Sequence, residues 1–98
     1  MELEGIKRML TKILNSPLIK RQFPNIDNVV VRDVEERLSH PNNFTVRTTI
    51  HLNERLPRHK IFFLEEINPK LLELLKTIGI GGNYNYIYYE IIEPDDTN

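Results

Sequence analysis

Apolar residues recur with helical spacing near the start of the chain. Over residues 3–14 they repeat at intervals of three and four, the pattern of a helix that packs one face on a core. Acidic residues come first in this stretch and basic residues later, the order that the helix dipole favours. Ser16 can then cap a short helical turn that begins at Pro17 and reaches Phe23. We therefore predict an amphipathic helix followed by one further turn.

A second helical pattern occurs in the C-terminal half. Asn68 can serve as an N-cap with Pro69 at the first helical position, and Gly79 stands where a left-handed C-terminal cap favours glycine. The predicted apolar face between them consists of Leu71, Leu72, Leu74, Leu75 and Ile78.

Strict alternation of apolar and polar residues predicts a strand at 44–52 with one solvent-facing side. Its polar face consists of Thr45, Arg47, Thr49 and His51. The valine-rich segment 28–36 alternates less regularly, and turn-forming residues at 40–43 connect the two. We predict that they form an antiparallel hairpin.

Two more segments are predicted as strands. Residues 61–64 form a short run that is apolar on both sides, which is typical of a buried strand. Residues 83–92 are rich in Tyr and Ile and follow the Gly81-Gly82 turn. Together these elements predict a single α+β domain over residues 1–94, in the order α-β-β-(short β)-α-β, with a polar tail at 95–98. We expect a mostly antiparallel sheet with two helices packed on one face.

Composition narrows the classes of protein further. The 98 residues include 33 Leu, Ile, Val and Phe but no Cys, which supports one core and excludes disulfides and cysteine nucleophiles. No apolar run is long enough for a membrane span and the N-terminus lacks a secretory pattern, so we expect a cytoplasmic protein, or one assembled into a particle made there. The chain has 12 Ile and 10 Asn but no Ala, a bias towards AT-rich codons that suggests a phage origin as a hypothesis.

No catalytic or metal-binding motif is present in the sequence. The three histidines, His40, His51 and His59, lack the spacing of metal ligands, and Ser39 beside His40 lacks the glycines of a nucleophile elbow. The loop Gly79-Ile80-Gly81-Gly82 resembles a G-x-x-G backbone clamp, but a helix cap and a turn explain its glycines without a ligand. We expect no enzyme activity, no cofactor and no metal.

Charge and tyrosines are unevenly distributed and suggest two candidate surfaces. Residues 1–60 carry 11 Lys and Arg against 7 Asp and Glu, whereas residues 61–98 carry 2 against 7. A basic group around the central strand could contact phosphates, or it could be a solvated face neutralised by the acidic C-terminal third. Its members are Arg47, His51, Arg55, Arg58 and Lys60.

All four tyrosines lie in the last predicted strand: Tyr84, Tyr86, Tyr88 and Tyr89. In an extended chain the first three share one face and Tyr89 lies on the other. Such a strand suits packing within the domain, a protein interface or base stacking, although acidic residues follow it. Our leading hypothesis is a non-catalytic interaction or assembly module that binds a second copy of itself or another protein through this strand. The alternative is a small nucleic-acid-binding regulator that uses the basic group, and we expect no membrane partner.

Overall fold

The computed structural model describes residues 2–94, so the predicted tail at 95–98 lies outside the described residues. Three helices and three strands follow one another in the order α-α-β-β-α-β, which confirms a small α+β domain. The elements are α1 (Leu3–Leu14), α2 (Pro17–Gln22), β1 (Ile26–Glu36), β2 (Phe44–Leu52), α3 (Lys60–Thr77) and β3 (Tyr86–Ile92). Among the described helices, none is long and apolar enough to cross a membrane.

The strands form one sheet in the order β1-β2-β3. β1 and β2 form the predicted antiparallel hairpin, and β2 has the bounds that its strict alternation predicts. β3 pairs with the other side of β2 and runs parallel to it, so the sheet is mixed, with one antiparallel and one parallel pair. α3 is the connection that a parallel pair requires between its strands.

The predicted short strand at 61–64 is wrong, because these residues belong to the first half of α3. His59 caps the helix, since its Nδ1 accepts a hydrogen bond from the Ile61 N–H at 3.2 Å. Pro69 therefore lies inside the helix rather than at its start. A proline there removes one helical hydrogen bond and costs about 3 kcal/mol. Burial of Ile67 and Leu71 on either side of Pro69 offsets this cost.

One core lies between the helices and one face of the sheet. α1 contributes Ile6, Leu10 and Leu14, and α3 contributes Ile67, Leu71 and Leu75. The sheet contributes Val29, Val31, Val34, Val46, Ile50, Ile87 and Ile91. Because both longer helices bury their apolar faces in this one cluster, they pack on the same side of the sheet, as predicted. The opposite side, which we call the open face, is left for other contacts.

Candidate functional site

An aromatic and cationic stripe runs along the open face at β3. Tyr86 and Tyr88 are 51% and 46% exposed, and their ring centroids lie 4.6 Å apart. Arg47 on β2 is the register partner of Tyr88, and its guanidinium carbon lies 4.6 Å from the centre of the Tyr88 ring. A cation over an aromatic face at this distance is attractive by about 0.5–1 kcal/mol at an exposed site. The stripe therefore combines large apolar rings with one positive charge.

Tyr84 continues this stripe in the loop before β3. Its ring stacks on the imidazole of His40 with centroids 3.9 Å apart and an angle of 4° between the planes. Arg37 donates a hydrogen bond from Nη1 to the Tyr84 carbonyl oxygen at 2.7 Å. The tyrosine ring is nevertheless 55% exposed. The hairpin loop thus fixes the position of Tyr84 and leaves much of its surface available.

Tyr89 lies on the covered face of the sheet, away from the other three tyrosines. Its hydroxyl donates a hydrogen bond to Oδ1 of Asn68 on α3 at 2.9 Å. Burial raises the pKa of Tyr89 above its usual value, because the low-dielectric surroundings disfavour the phenolate. Of the four predicted interface tyrosines, this one connects α3 to β3 within the domain.

Replacing Tyr89 with phenylalanine should make the protein less sensitive to alkaline pH. Because the folded-state pKa lies above the unfolded value of about 10, the unfolded chain releases this proton first as pH rises. The stabilisation by the neutral phenol is complete below pH 10 and is lost above it, by at most about 1.4 kcal/mol per pH unit. At pH 8, Tyr89→Phe should cost about 1 kcal/mol through the lost hydrogen bond. Urea unfolding from pH 8 to 11 should show that the difference in the free energy of unfolding between wild type and Tyr89→Phe shrinks as the pH rises. A constant difference would contradict this prediction.

The structure separates the predicted basic group into two parts. Arg47 and His51 lie on the open face of β2, about 13 Å apart along the strand. Arg55, Arg58 and Lys60 lie in the following loop and at the start of α3. Arg55 is 4.0 Å from the Glu93 carboxylate, and Arg58 lies over the Phe62 ring at 4.5 Å. The five side chains therefore do not converge on one site.

The two edges of the sheet differ in how well they are protected. At the β1 edge, the side chain of Asn15, which follows α1, binds the backbone of Val29 where a neighbouring strand would otherwise pair. Its Nδ2 donates to the Val29 carbonyl oxygen and its Oδ1 accepts from the Val29 N–H, both at 2.7 Å. β1 also contains two register irregularities, at Ile26/Asn28 and Val31/Asp33. Bulges and occupied backbone groups are the means by which proteins prevent further pairing at a sheet edge.

The β3 edge has none of these protections among residues 86–92. Its register with β2 is regular from Thr45–Tyr86 to His51–Ile92, and its outer side pairs with no described strand. Only one of its seven residues, Glu90, is charged, whereas β1 carries Asp27, Arg32, Asp33, Glu35 and Glu36. Since charged side chains discourage edge pairing, the composition of β3 leaves its edge open.

A groove of about 520 Å³ lies beside this edge, between β3 and α3. Ile61, Leu64 and Leu72 of α3 form one wall, and Ile87 and Tyr89 of β3 contribute to the other. The helix thus extends an apolar surface alongside a strand with unpaired backbone groups. Sequence reasoning missed this groove, because it assigned residues 61–64 to a strand. The apolar residues spaced by four at Phe63, Ile67 and Leu71 were the available signal.

Two asparagines that the sequence did not single out organise the glycine loop before β3. Asn43 Oδ1 accepts hydrogen bonds from the N–H groups of Gly82 at 2.8 Å and Tyr84 at 3.1 Å. Asn85 is buried. Its Nδ2 donates a hydrogen bond to the Ile80 carbonyl oxygen, and its Oδ1 accepts one from the Phe44 N–H at the start of β2. Gly79 and Gly81 adopt positive φ angles of 81° and 70°. The glycines therefore serve a helix end and a tight turn.

No protein-family model matches the chain, and comparison with curated proteins and with solved structures finds no match. Within residues 2–94, no group of three or more His, Asp or Glu side chains could hold a metal ion. The open face, the β3 edge and the adjoining groove are therefore the features from which a function has to be argued.

Proposed function

We propose that this protein is a non-catalytic interaction module that self-associates through β3. The observation that carries the proposal is the asymmetry of the sheet, in which β1 is blocked and β3 is open. An unpaired strand edge presents N–H and C=O groups that an additional strand can bind.

The side chains of β3 support the same use. Tyr86 and Tyr88 expose about half of their surface beside the edge. Tyrosine is enriched in protein interfaces because it buries a large apolar ring at a small entropic cost and keeps a polar tip for hydrogen bonding. A partner strand would cover these rings while it satisfies the backbone of β3. Backbone pairing and aromatic burial would then act together.

Replacing Tyr88 with glutamate should abolish self-association at micromolar concentration. The wild-type protein is expected to form dimers, because its β3 edge can pair. A carboxylate on this strand adds charge at the edge and removes an exposed ring, so the dissociation constant should rise at least about tenfold. Light scattering coupled to size exclusion measures the mass directly across a concentration series.

Val30→Glu is the matched control for this experiment. Val30 is a 40% exposed residue of the same open face, but it lies on the blocked strand β1. The substitution adds the same charge and should leave the dimer unchanged. A wild-type protein that stays monomeric throughout, or equal effects of the two substitutions, would count against the proposal.

The contact of Arg47 with Tyr88 favours a second candidate function, the binding of single-stranded nucleic acid. A sheet face with stacked aromatic rings and a nearby arginine suits bases and phosphates. Asp33, Glu35 and Glu90 lie on strands beside these residues, however, and repel phosphate. If a labelled oligonucleotide bound the wild-type protein at about 50 mM salt and not Tyr88→Glu, while light scattering showed a monomer, this function would replace self-association.

A further inference from the structure

The hydrogen bonds of β3 show which of its backbone groups face outwards. The Tyr88 carbonyl oxygen accepts a hydrogen bond from Thr48 Oγ1 at 2.9 Å, so this carbonyl points towards β2. Consecutive residues of a strand direct their backbone groups to opposite sides. The N–H and C=O groups of Ile87, Tyr89 and Ile91 therefore point to the open edge.

We propose that the partner of β3 is the β3 strand of a second copy, paired antiparallel about a two-fold axis at Tyr89. This inference rests on the proposed function and specifies its geometry. In this register Tyr89 faces Tyr89 of the other copy, and Ile87 faces Ile91. Each hydrogen-bonded pair of an antiparallel ladder exchanges two bonds, so three such pairs give roughly six. A shift of the axis by one residue leaves only two such pairs, and roughly four bonds.

The register also places opposite charges together on the open face. Tyr88 lies directly opposite Glu90 of the second copy, and the Arg47 guanidinium already lies over the Tyr88 ring at 4.6 Å. Glu90 is held in place because its Oε1 accepts a hydrogen bond from Thr49 Oγ1 at 3.1 Å. Within residues 2–94 neither Glu90 nor Arg47 forms an ion pair. The two-fold axis supplies the missing partner twice, once on each side.

On the covered face, the same register fills the groove beside β3. Ile91 of the second copy lies opposite Ile87, one of the residues that line the groove. Its side chain therefore points towards the apolar wall formed by Ile61, Leu64 and Leu72 of α3. By symmetry, Ile91 of the first copy points towards the same wall of the second copy. The product is a six-stranded sheet in which each α3 covers part of the other copy's β3.

A charge exchange between Glu90 and Arg47 tests this register. The variants Glu90→Arg and Arg47→Glu each place like charges together in their own homodimer, which should raise the dissociation constant at least about tenfold. In an equimolar mixture of the two, both contacts become complementary, and heterodimers should form with an affinity close to that of the wild type. Native mass spectrometry at about 50 mM salt distinguishes the heterodimer by mass, since screening is weak there.

A mixture of Glu90→Arg with His51→Glu is the matched control. His51 lies on the same face of the same strand as Arg47, but its register partner is Ile92 rather than Tyr88. A glutamate there is too far along the strand to meet residue 90 of the second copy. The heterodimer of this mixture keeps one Arg47–Glu90 contact and one contact between two arginines, so its affinity should lie between those of the two homodimers and not reach that of the wild type.

Disulfide formation provides a second measurement that does not depend on charge. The chain contains no cysteine, so copies with Tyr88→Cys and copies with Glu90→Cys each carry a single thiol. Residues directly opposite in an antiparallel pair have Cβ atoms about 4.5–5.5 Å apart, close enough for a disulfide after a small shift. Under mild oxidation the mixture should cross-link at least tenfold faster than either variant alone.

The outcomes separate the register from the function. A monomeric wild-type protein would overturn both. A wild-type dimer that Tyr88→Glu dissociates, combined with no recovery in the charge-exchange mixture and no preferred cross-link, would overturn the register and leave self-association through β3 standing. Circular dichroism establishes whether each variant is folded. If a charge variant does not fold, the preferred cross-link alone suffices to support the register.

Discussion

Replacing Gly81 with alanine should lower the free energy of unfolding by about 2–5 kcal/mol. Gly81 has a φ angle of 70°, a conformation that costs a residue with a Cβ atom about 1–2 kcal/mol. An added Cβ would also overlap the side-chain oxygen of Asn85 and lie 2.7 Å from the backbone oxygen of Asn42. Because a backbone carbonyl cannot rotate away, the loop has to shift, which typically costs a further 1–3 kcal/mol, roughly. Urea unfolding followed by circular dichroism measures the change.

Gly79→Ala separates strain from overlap. Gly79 has a similar φ angle of 81°, but no atom lies within 4 Å of the position that its Cβ would take. This substitution should therefore cost only the conformational strain, about 1–2 kcal/mol. Equal losses in the two variants would show that the contacts around Gly81 contribute nothing.

Replacing Asn85 with alanine should cost about 2–4 kcal/mol, the second large effect. This side chain is 7% exposed and connects three backbone groups. Its Nδ2 donates to the carbonyl oxygens of Ile80 at 2.8 Å and Gly82 at 3.2 Å, and its Oδ1 accepts from the Phe44 N–H at 2.8 Å. Alanine leaves these groups without the side chain that binds them, and a buried polar group without a partner costs about 1–3 kcal/mol. The loop after α3 would also lose its link to the start of β2.

Asn83→Ala is the control, two residues away in the same loop. Asn83 is exposed, and its Oδ1 accepts a hydrogen bond from Lys76 Nζ at 3.3 Å. An exposed contact of this kind is worth about 0.5 kcal/mol or less. Thermal unfolding of both variants measures the contrast, since 1 kcal/mol shifts the midpoint by roughly 4–8 °C in a domain of this size. The assignment of Asn85 as the organising residue fails if its variant melts together with Asn83→Ala.

The parts of the fold that the sequence predicts are those in which local periodicity and burial agree. α1 and β2 have the predicted bounds, because each has one buried and one solvent-facing side. α3 differs because its first turns are apolar on several sides, so that spacing alone does not separate a helix from a buried strand. The parallel pairing of β2 with β3 depends on which strands become neighbours in the sheet, and no spacing along the chain encodes that choice.

The candidate surface is predictable to the same extent. Period-two alternation places Tyr84, Tyr86 and Tyr88 on one side and Tyr89 on the other. The exposed rings of Tyr86 and Tyr88 and the half-buried Tyr89 confirm this alternation within β3, whereas Tyr84 lies in the loop before the strand, which begins three residues later than predicted. The contact between Asn15 and Val29 joins residues 14 apart through a helix end and a strand edge, and no local pattern encodes it. The groove depends in turn on where α3 begins. Self-association itself stays a prediction.

The amide of Asn15 has a consequence for the size of any assembly. A sheet with two open edges can add further copies at both edges without limit, as a fibril does. Here the β1 edge is blocked at Val29 by the Asn15 side chain of the same molecule. If copies associate through the β3 edge as proposed, a single partner would occupy that edge, so growth would terminate at two molecules.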